Sequence, residues 1–440
     1  MIWLHLIVVL GAIFLGARLG GIAIGYAGGL GVLVLAVLGV TPGDMPLDVV
    51  SIIMAVIAAI AAMQVAGGMD WLVDLAARLL RRNPRHLTFL APVVTYLMTL
   101  MAGTGHTAFS TLPVITEVAK ENDLRPARPL SIAVVSSQIA ITASPISAAV
   151  VFFSGLLEDG DTGVDYIGLL SVAIPSTFLG CLATAAIFTA VDRVRGRTRL
   201  QDDPEYRRRL AAGTVAAPGA HATRELKPGA RRSVVVFLTG LVAVMTYATV
   251  ISDKVGLVED PVMGRDAAII AIMLSVAAVI VLVCRVDTSE VLTAGTFRSG
   301  MNACVCVLGV AWLGLTFFGA HEDAIQGAAG GVLEAQPWLL AVALLLASAL
   351  MYSQASTARA LMPTALAMGV AAPAAVAAFP AVSALFILPT YPTLLGAVAM
   401  DDTGTTRIGK YVVDHPFLAP GLVAITISVA LGFGIGAVVL

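Results

Sequence analysis

Long apolar runs alternate with short polar connections along these 440 residues, and two regions interrupt that rhythm in the same way. Gly103-Thr104-Gly105-His106-Thr107 breaks one apolar run, and Ser144-Pro145-Ile146-Ser147 breaks the next. About 250 residues further on, Ser353-Gln354-Ala355-Ser356-Thr357 and then Pro389-Thr390-Tyr391-Pro392-Thr393 repeat the device. A spanning helix needs ~20 mostly apolar residues. Runs of that kind lie near 3–19, 21–39, 49–66, 87–116, 130–154, 166–190, 233–251, 267–284, 300–319, 338–368, 374–399 and 416–440. The pattern therefore predicts an all-α, polytopic membrane protein. Broken apolar segments at matching places in two halves point to a transporter's substrate site.

The halves match in residues as well as in hydropathy. Thr111-Leu112-Pro113 and Leu361-Met362-Pro363 follow the two bends, and the last run of each half begins at Tyr166 and at Pro416. Each half reads as three crossings, a re-entrant hairpin, a broken crossing and a final helix. That is an odd number of full crossings, so the second half is inverted. The first repeat covers 1–190, with its hairpin at 87–116 and its broken helix at 130–154. A basic linker covers 191–232. The second repeat covers 233–440, with its hairpin at 338–368 and its broken helix at 374–399.

Composition agrees with this plan: 58% of residues are hydrophobic and only 12% charged, against about 25% charged in soluble domains. The first run starts at Ile2 without a basic leader or a small-residue cleavage site, so it is expected to be retained. Loop charge adds orientation. Residues 78–86 hold Arg78, Arg81, Arg82 and Arg85 with no acid, and 191–232 holds eleven Lys and Arg against five Asp and Glu. Both are expected to be cytoplasmic. The loops with Glu158, Asp159, Asp161 and Asp165, and with Glu322, Asp323 and Glu334, contain no base and are free to lie outside. Both termini are then periplasmic. Cys181, Cys284, Cys304 and Cys306 sit in or beside apolar runs without a neighbouring histidine, which suits packing better than metal or redox chemistry. No metal and no cofactor is expected, and no nucleic-acid partner.

Irregular backbone at membrane depth is tolerated only where protein or a water-filled cavity covers it. Each helix start at a break offers free N–H groups and a positive dipole end. Thr104, Thr107, Ser144, Ser147, Ser353, Ser356, Thr357, Thr390 and Thr393 add hydroxyls there, and Gly105, Pro145 and Tyr391 stand among them as candidate substrate contacts. Fixed N–H and hydroxyl donors suit a carboxylate, and four breaks meeting together suit a molecule with one at each end. Arg359 lies just past the second bend in an apolar segment. It either grips the substrate anion bidentately or pairs or snorkels elsewhere. His106 is either a proton-linked switch or a neutral hydrogen bonder at the bend. Gln138 and Gln354 read as hydrogen-bonding links between helices, Gln354 being the better placed for substrate. Asp401-Asp402-Thr403 is either a cation or gating site or a solvated helix cap, and Arg18 snorkels to an interface.

Longer motifs carry a resemblance. Phe14 to Gly21, Ala62 to Gly68, Ile139 to Ser147, Leu388 to Thr393 and Asp401 to Lys410 are similar to the anaerobic C4-dicarboxylate transporter (Dcu) family, over nearly the whole chain. The resemblance implies a bacterial inner-membrane antiporter exchanging fumarate, malate or aspartate for succinate. It also implies an elevator-type fold of the ion-transporter kind and a homodimer, with a membrane sensor kinase as a partner known for some relatives. The chain departs from the family at two positions: His106 stands where Asn is common, and Arg359 where Lys can stand. A Na⁺- or H⁺-coupled carboxylate symporter is the nearest rival. An enzyme is disfavoured, because no His-Glu-x-x-His helix, Gly-x-Ser-x-Gly elbow or P-loop occurs.

Overall fold

A computed structural model describes residues 1–440 except 20–21, 46, 161, 197–198, 216–225, 252–256, 259–260, 352, 389–390 and 410–413, and leaves aside certain side chains, His106 among them. The described residues are helical or irregular; the β-structure among them is one isolated bridge, Leu124 to Arg199. The all-helical class read from the pattern is borne out.

The first half begins with α1 (Ile2–Leu19), α2 (Ala23–Val37) and α3 (Leu47–Val65), after which α4 (Gly68–Arg82) turns away from α3 by 70°. Gly67, with φ +86, makes that corner. Residues 78–82, read from sequence as loop, are the last turn of α4. This helix is amphipathic: Ala76 and Leu80 are buried while Arg78, Arg81 and Arg82 face out. The hairpin follows as α5 (Leu87–Ala102) and α6 (Ala108–Glu121), and the broken segment as α7 (Ala127–Ile139) and α8 (Ala148–Asp159). One long helix, α9 (Tyr166–Val194), closes the half.

Within the linker, α10 (Pro204–Ala211) is held by Asp203, which caps its first turn. The second half then runs α11 (Ala230–Val250), α12 (Arg265–Cys284), α13 (Thr288–Thr293) and α14 (Gly295–Ala335). The last of these kinks at His321, so Glu322, Asp323 and Glu334, read from sequence as loop, belong to a helix. The second hairpin is α15 (Leu339–Met351) and α16 (Gln354–Ala367). Its broken segment is α17 (Ala372–Ala378) and α18 (Pro392–Met400), and α19 (Leu418–Val439) ends the chain.

Twelve apolar runs become six helical segments long and apolar enough to cross a membrane among the described residues, or seven if the bent α3–α4 pair counts as one. The difference comes from short helices: the hairpin arms span 13 to 16 residues, about 20 to 24 Å at 1.5 Å per residue, α2 has 15 residues and α17 only seven.

The helices sort into two bodies. In one, α14 lies along α2 and α3, α12 along α3 and α11, and α4 against α11. Its tightest seam is the crossing of α2 and α14. A Cβ on Gly309 would stand 1.9 Å from the Gly25 carbonyl oxygen, so only glycine lets these backbones meet. In the other body the hairpins, broken segments and the closely packed pair α9 and α19 come together, and the halves exchange contacts. The return arm α6 rests on α18, and the return arm α16 rests on α8. The bodies meet mainly where α14 touches α16 and α4 touches α6.

Candidate functional site

The broken segments are built by local hydrogen bonding. After α7 the chain tightens into a 3₁₀ turn over Ala140–Ala143, goes extended at Ser144, and restarts at α8 under the cap of Ser147. Ser144 Oγ donates to the Leu100 carbonyl at 2.7 Å, and Ser147 Oγ to the Ile141 carbonyl at 2.7 Å. Tyr166 OH donates to the Pro145 carbonyl at 2.6 Å. The break is thus pinned from the hairpin arm on one side and from α9 on the other. In the second half the break opens earlier than Pro389–Thr393, as a 3₁₀ turn over Phe379–Ser383, and α18 starts after Tyr391. Ser348 clamps it, donating to the Ala381 carbonyl at 3.2 Å and accepting from Ala384 N–H at 3.2 Å.

The hairpin tips differ. Gly103, at φ +65, turns the first chain back against Ile146, and a 3₁₀ turn over Gly105–Thr107 follows, with Gly105 lying close to the Ser137 carbonyl. Thr107 Oγ1 donates to the Thr104 carbonyl and bonds Thr99 Oγ1 at 3.0 Å. The second turn is tighter: Ser353 caps α16, accepting from Ser356 N–H at 3.1 Å, so Gln354 to Thr357 form the first helical turn rather than the bend. Thr357 Oγ1 donates to the Ser353 carbonyl.

These tips and breaks converge on Gln138, in the last turn of α7. Gln354 Nε2 donates to its backbone carbonyl at 3.2 Å, and its own Nε2 donates to Thr393 Oγ1 at 3.1 Å, at the start of α18. One residue of the first half therefore ties together the hairpin and the broken helix of the second. Its role exceeds the helix link read from sequence; the available signal was a lone amide one turn before a break.

Arg359 is the charged member. It is 1% exposed, on α16 against the start of α8. Nη2 reaches the Ala148 carbonyl at 3.5 Å and the guanidinium lies 5.2 Å from the Phe152 ring centroid, while Nε and Nη1 have no partner. No described acid pairs with it, which removes the snorkelling and ion-pair alternatives among the described residues. Ser356 Oγ, three residues earlier on the same helix, is also buried without a partner. A buried guanidinium, a hydroxyl and the positive end of the 12-residue α8 form a donor set for an anion.

Most other predicted hydroxyls are spent internally. Ser144, Ser147, Thr107 and Thr357 each donate to backbone carbonyls. These bonds hold the irregular turns in shape. Thr390 and the side chain of His106 lie outside the described residues. Asp401 proves to be neither solvated nor open to a cation. It is buried, and its carboxylate accepts from Thr403, from Thr405 Oγ1 at 2.9 Å and from Thr406 N–H at 2.7 Å. Asp402 pairs with Lys120 at 3.0 Å, and Arg209 of α10 donates to its carbonyl, so the linker docks here. A cavity of about 300 Å³ lined by Arg125, Arg199, Asp202, Asp203 and Arg407 lies at this linker surface, apart from the breaks. No group of three or more His, Cys, Asp or Glu among the described residues could hold a metal.

Two hairpins and two broken segments around a buried arginine that no described acid partners are the architecture of a multi-pass membrane transporter. The chain belongs to the anaerobic C4-dicarboxylate membrane transporter family, whose model (DcuA_DcuB) matches residues 1–440. It is 60% identical to the C4-dicarboxylate transporter DcuA of Wolinella succinogenes and 57% identical to that of Escherichia coli strain K12, each over 100% of both chains. It is 38% identical to the anaerobic C4-dicarboxylate transporter DcuB of Escherichia coli O6:H1, over 98% of this chain and 97% of that one. Among solved structures, the Alcanivorax borkumensis YdaH transporter matches with a TM-score of 0.56 at 18% identity, covering 88% of this chain and 85% of that one, a likeness of fold.

Proposed function

We propose that the protein is a secondary antiporter that exchanges C4-dicarboxylates, taking up fumarate, malate or aspartate against succinate. The observation that carries this is Arg359: a guanidinium buried in an apolar helix with two nitrogens unpartnered, beside the N-terminus of α8. An uncompensated buried charge is costly, and a carboxylate would satisfy it. The convergence of both halves on Gln138 supports a single site between them. The division into two bodies, joined mainly through α14–α16 and α4–α6, supports an elevator-like motion. In this arrangement the body of α1–α4 and α11–α14 stays fixed and the hairpin body moves. The same reading puts residues 78–86 and the linker in the cytoplasm, both termini in the periplasm, and the chain in the bacterial inner membrane as a homodimer.

Counterflow in proteoliposomes tests it. Succinate inside should accelerate fumarate uptake without any ion gradient, and a requirement for Na⁺ or a proton gradient would make it a symporter. Arg359→Ala should abolish exchange at unchanged protein yield. Arg359→Lys, which keeps the charge but loses the planar fork, should raise the half-saturating fumarate concentration about tenfold. Unchanged affinity in the alanine variant removes Arg359 from the site.

A further inference from the structure

Gln138 is fully buried at the centre of the broken segments, and its amide is used on one side only. Nε2 donates to Thr393 Oγ1, and the backbone carbonyl accepts from Gln354, but the side-chain oxygen Oε1 has no partner. Leaving a buried acceptor unpaired is unfavourable, and two other buried orphans, on Arg359 and Ser356 of the helix that Gln354 begins, are groups able to donate. Gln138 is thus the acceptor in a constellation otherwise suited to carboxylate oxygens. The two unsubstituted C4-dicarboxylates, fumarate and succinate, offer no hydrogen-bond donor when ionised. Aspartate and malate do, through the ammonium or hydroxyl on C2.

We propose that Gln138 is a specificity residue: its side-chain oxygen accepts a hydrogen bond from the C2 substituent of the bound dicarboxylate, so it favours 2-amino and 2-hydroxy substrates over unsubstituted ones. The inference rests on the broken segments being the substrate site. It assigns to one residue the part of recognition that Arg359, which is blind to C2, does not perform. Thr393 fixes the amide, so the oxygen is presented rather than free to rotate. A site that hydrogen-bonds a substituent discriminates strongly against analogues lacking it.

The test is competition in proteoliposome counterflow, with labelled fumarate displaced by L-aspartate, L-malate, succinate or unlabelled fumarate. It compares the wild type with Gln138→Leu and with Gln138→Met, the second keeping the chain length should leucine fold poorly. The expected result is an aspartate requirement raised about tenfold or more, and malate raised in the same direction. Fumarate and succinate should rise less, by whatever the lost Thr393 link costs, so the aspartate-to-fumarate ratio rises severalfold. A purely structural loss lowers all four together, because the ratio is read within one preparation. Equal weakening of all four therefore overturns the proposal. That outcome also covers a reversed amide, which would present an N–H₂ to the substrate. An unchanged aspartate-to-fumarate ratio overturns it as well. Failure of the wild type to counterflow any of the four removes the substrate-site reading and this proposal with it.

Discussion

Single residues in this protein divide by whether their surroundings leave them any choice. Gly309 has none: a side chain there would collide with the Gly25 backbone in the α2–α14 seam. Gly434, on α19, has nothing within 4 Å of where a Cβ would stand. Gly309→Val is therefore expected to cut the folded yield in detergent several-fold, whereas Gly434→Ala should leave it unchanged; size-exclusion monodispersity and melting temperature measure both. Ser353 is a milder case. Its cap on α16 is worth about 1 kcal/mol, so Ser353→Ala should lower the melting temperature and loosen the turn that aims Arg359. At this scale the sequence revealed which residue types gather at the breaks, because Gly, Pro, Ser and Thr are conspicuous in apolar runs. It could not say that Ser144, Ser147, Thr107 and Thr357 donate to backbone carbonyls while Ser356 does not. That distinction depends on where each irregular turn puts its carbonyls.

Among elements, the two breaks were unequally visible. The first carries Ser144-Pro145 and lies where its residues suggest. The second opens ten residues before its Pro-Thr cluster, at Phe379–Ser383, where Pro380 and Ser383 are the local signs in an otherwise Ala-rich apolar stretch. Tertiary clamping by Ser348 holds it open. Elements also meet through charge. Arg265, at the first turn of α12, donates to Glu158 at 2.6 Å and Ser154 at 3.1 Å on α8, and stacks toward Tyr166, whose hydroxyl holds the Pro145 carbonyl. This pair joins the two bodies. Glu158→Gln should destabilise the packed conformer by about 1 kcal/mol, since Glu158 is one-third exposed and partly screened. A lower melting temperature together with a faster exchange rate is expected, and an unchanged rate would deny the pair any role in holding the bodies together.

For the whole molecule, the proposed sliding of one body against the other is the part of the reading most open to direct trial. Cβ atoms at Gly314 of α14 and Ala360 of α16 would lie 3.8 Å apart, within the range a disulfide needs. With Cys181, Cys284, Cys304 and Cys306 replaced, Gly314→Cys with Ala360→Cys should cross-link on oxidation and stop exchange, and reduction should restore it. Full activity in the oxidised protein would exclude movement along this seam.

What the sequence determined by itself was the solvent and the plan. Apolar runs and a charge-poor composition demand a lipid environment, and the 250-residue echo of the two hairpin bends is visible in residue identities alone. What only the tertiary structure decided was which parts touch. That α6 rests on α18 and α16 on α8, that Gln138 serves both halves, and that no described acid stands beside Arg359 all depend on packing between residues more than 200 positions apart. Local pattern encodes burial and period. It does not encode which distant helix will lie against which, because that choice is made by fit between surfaces only folding brings together.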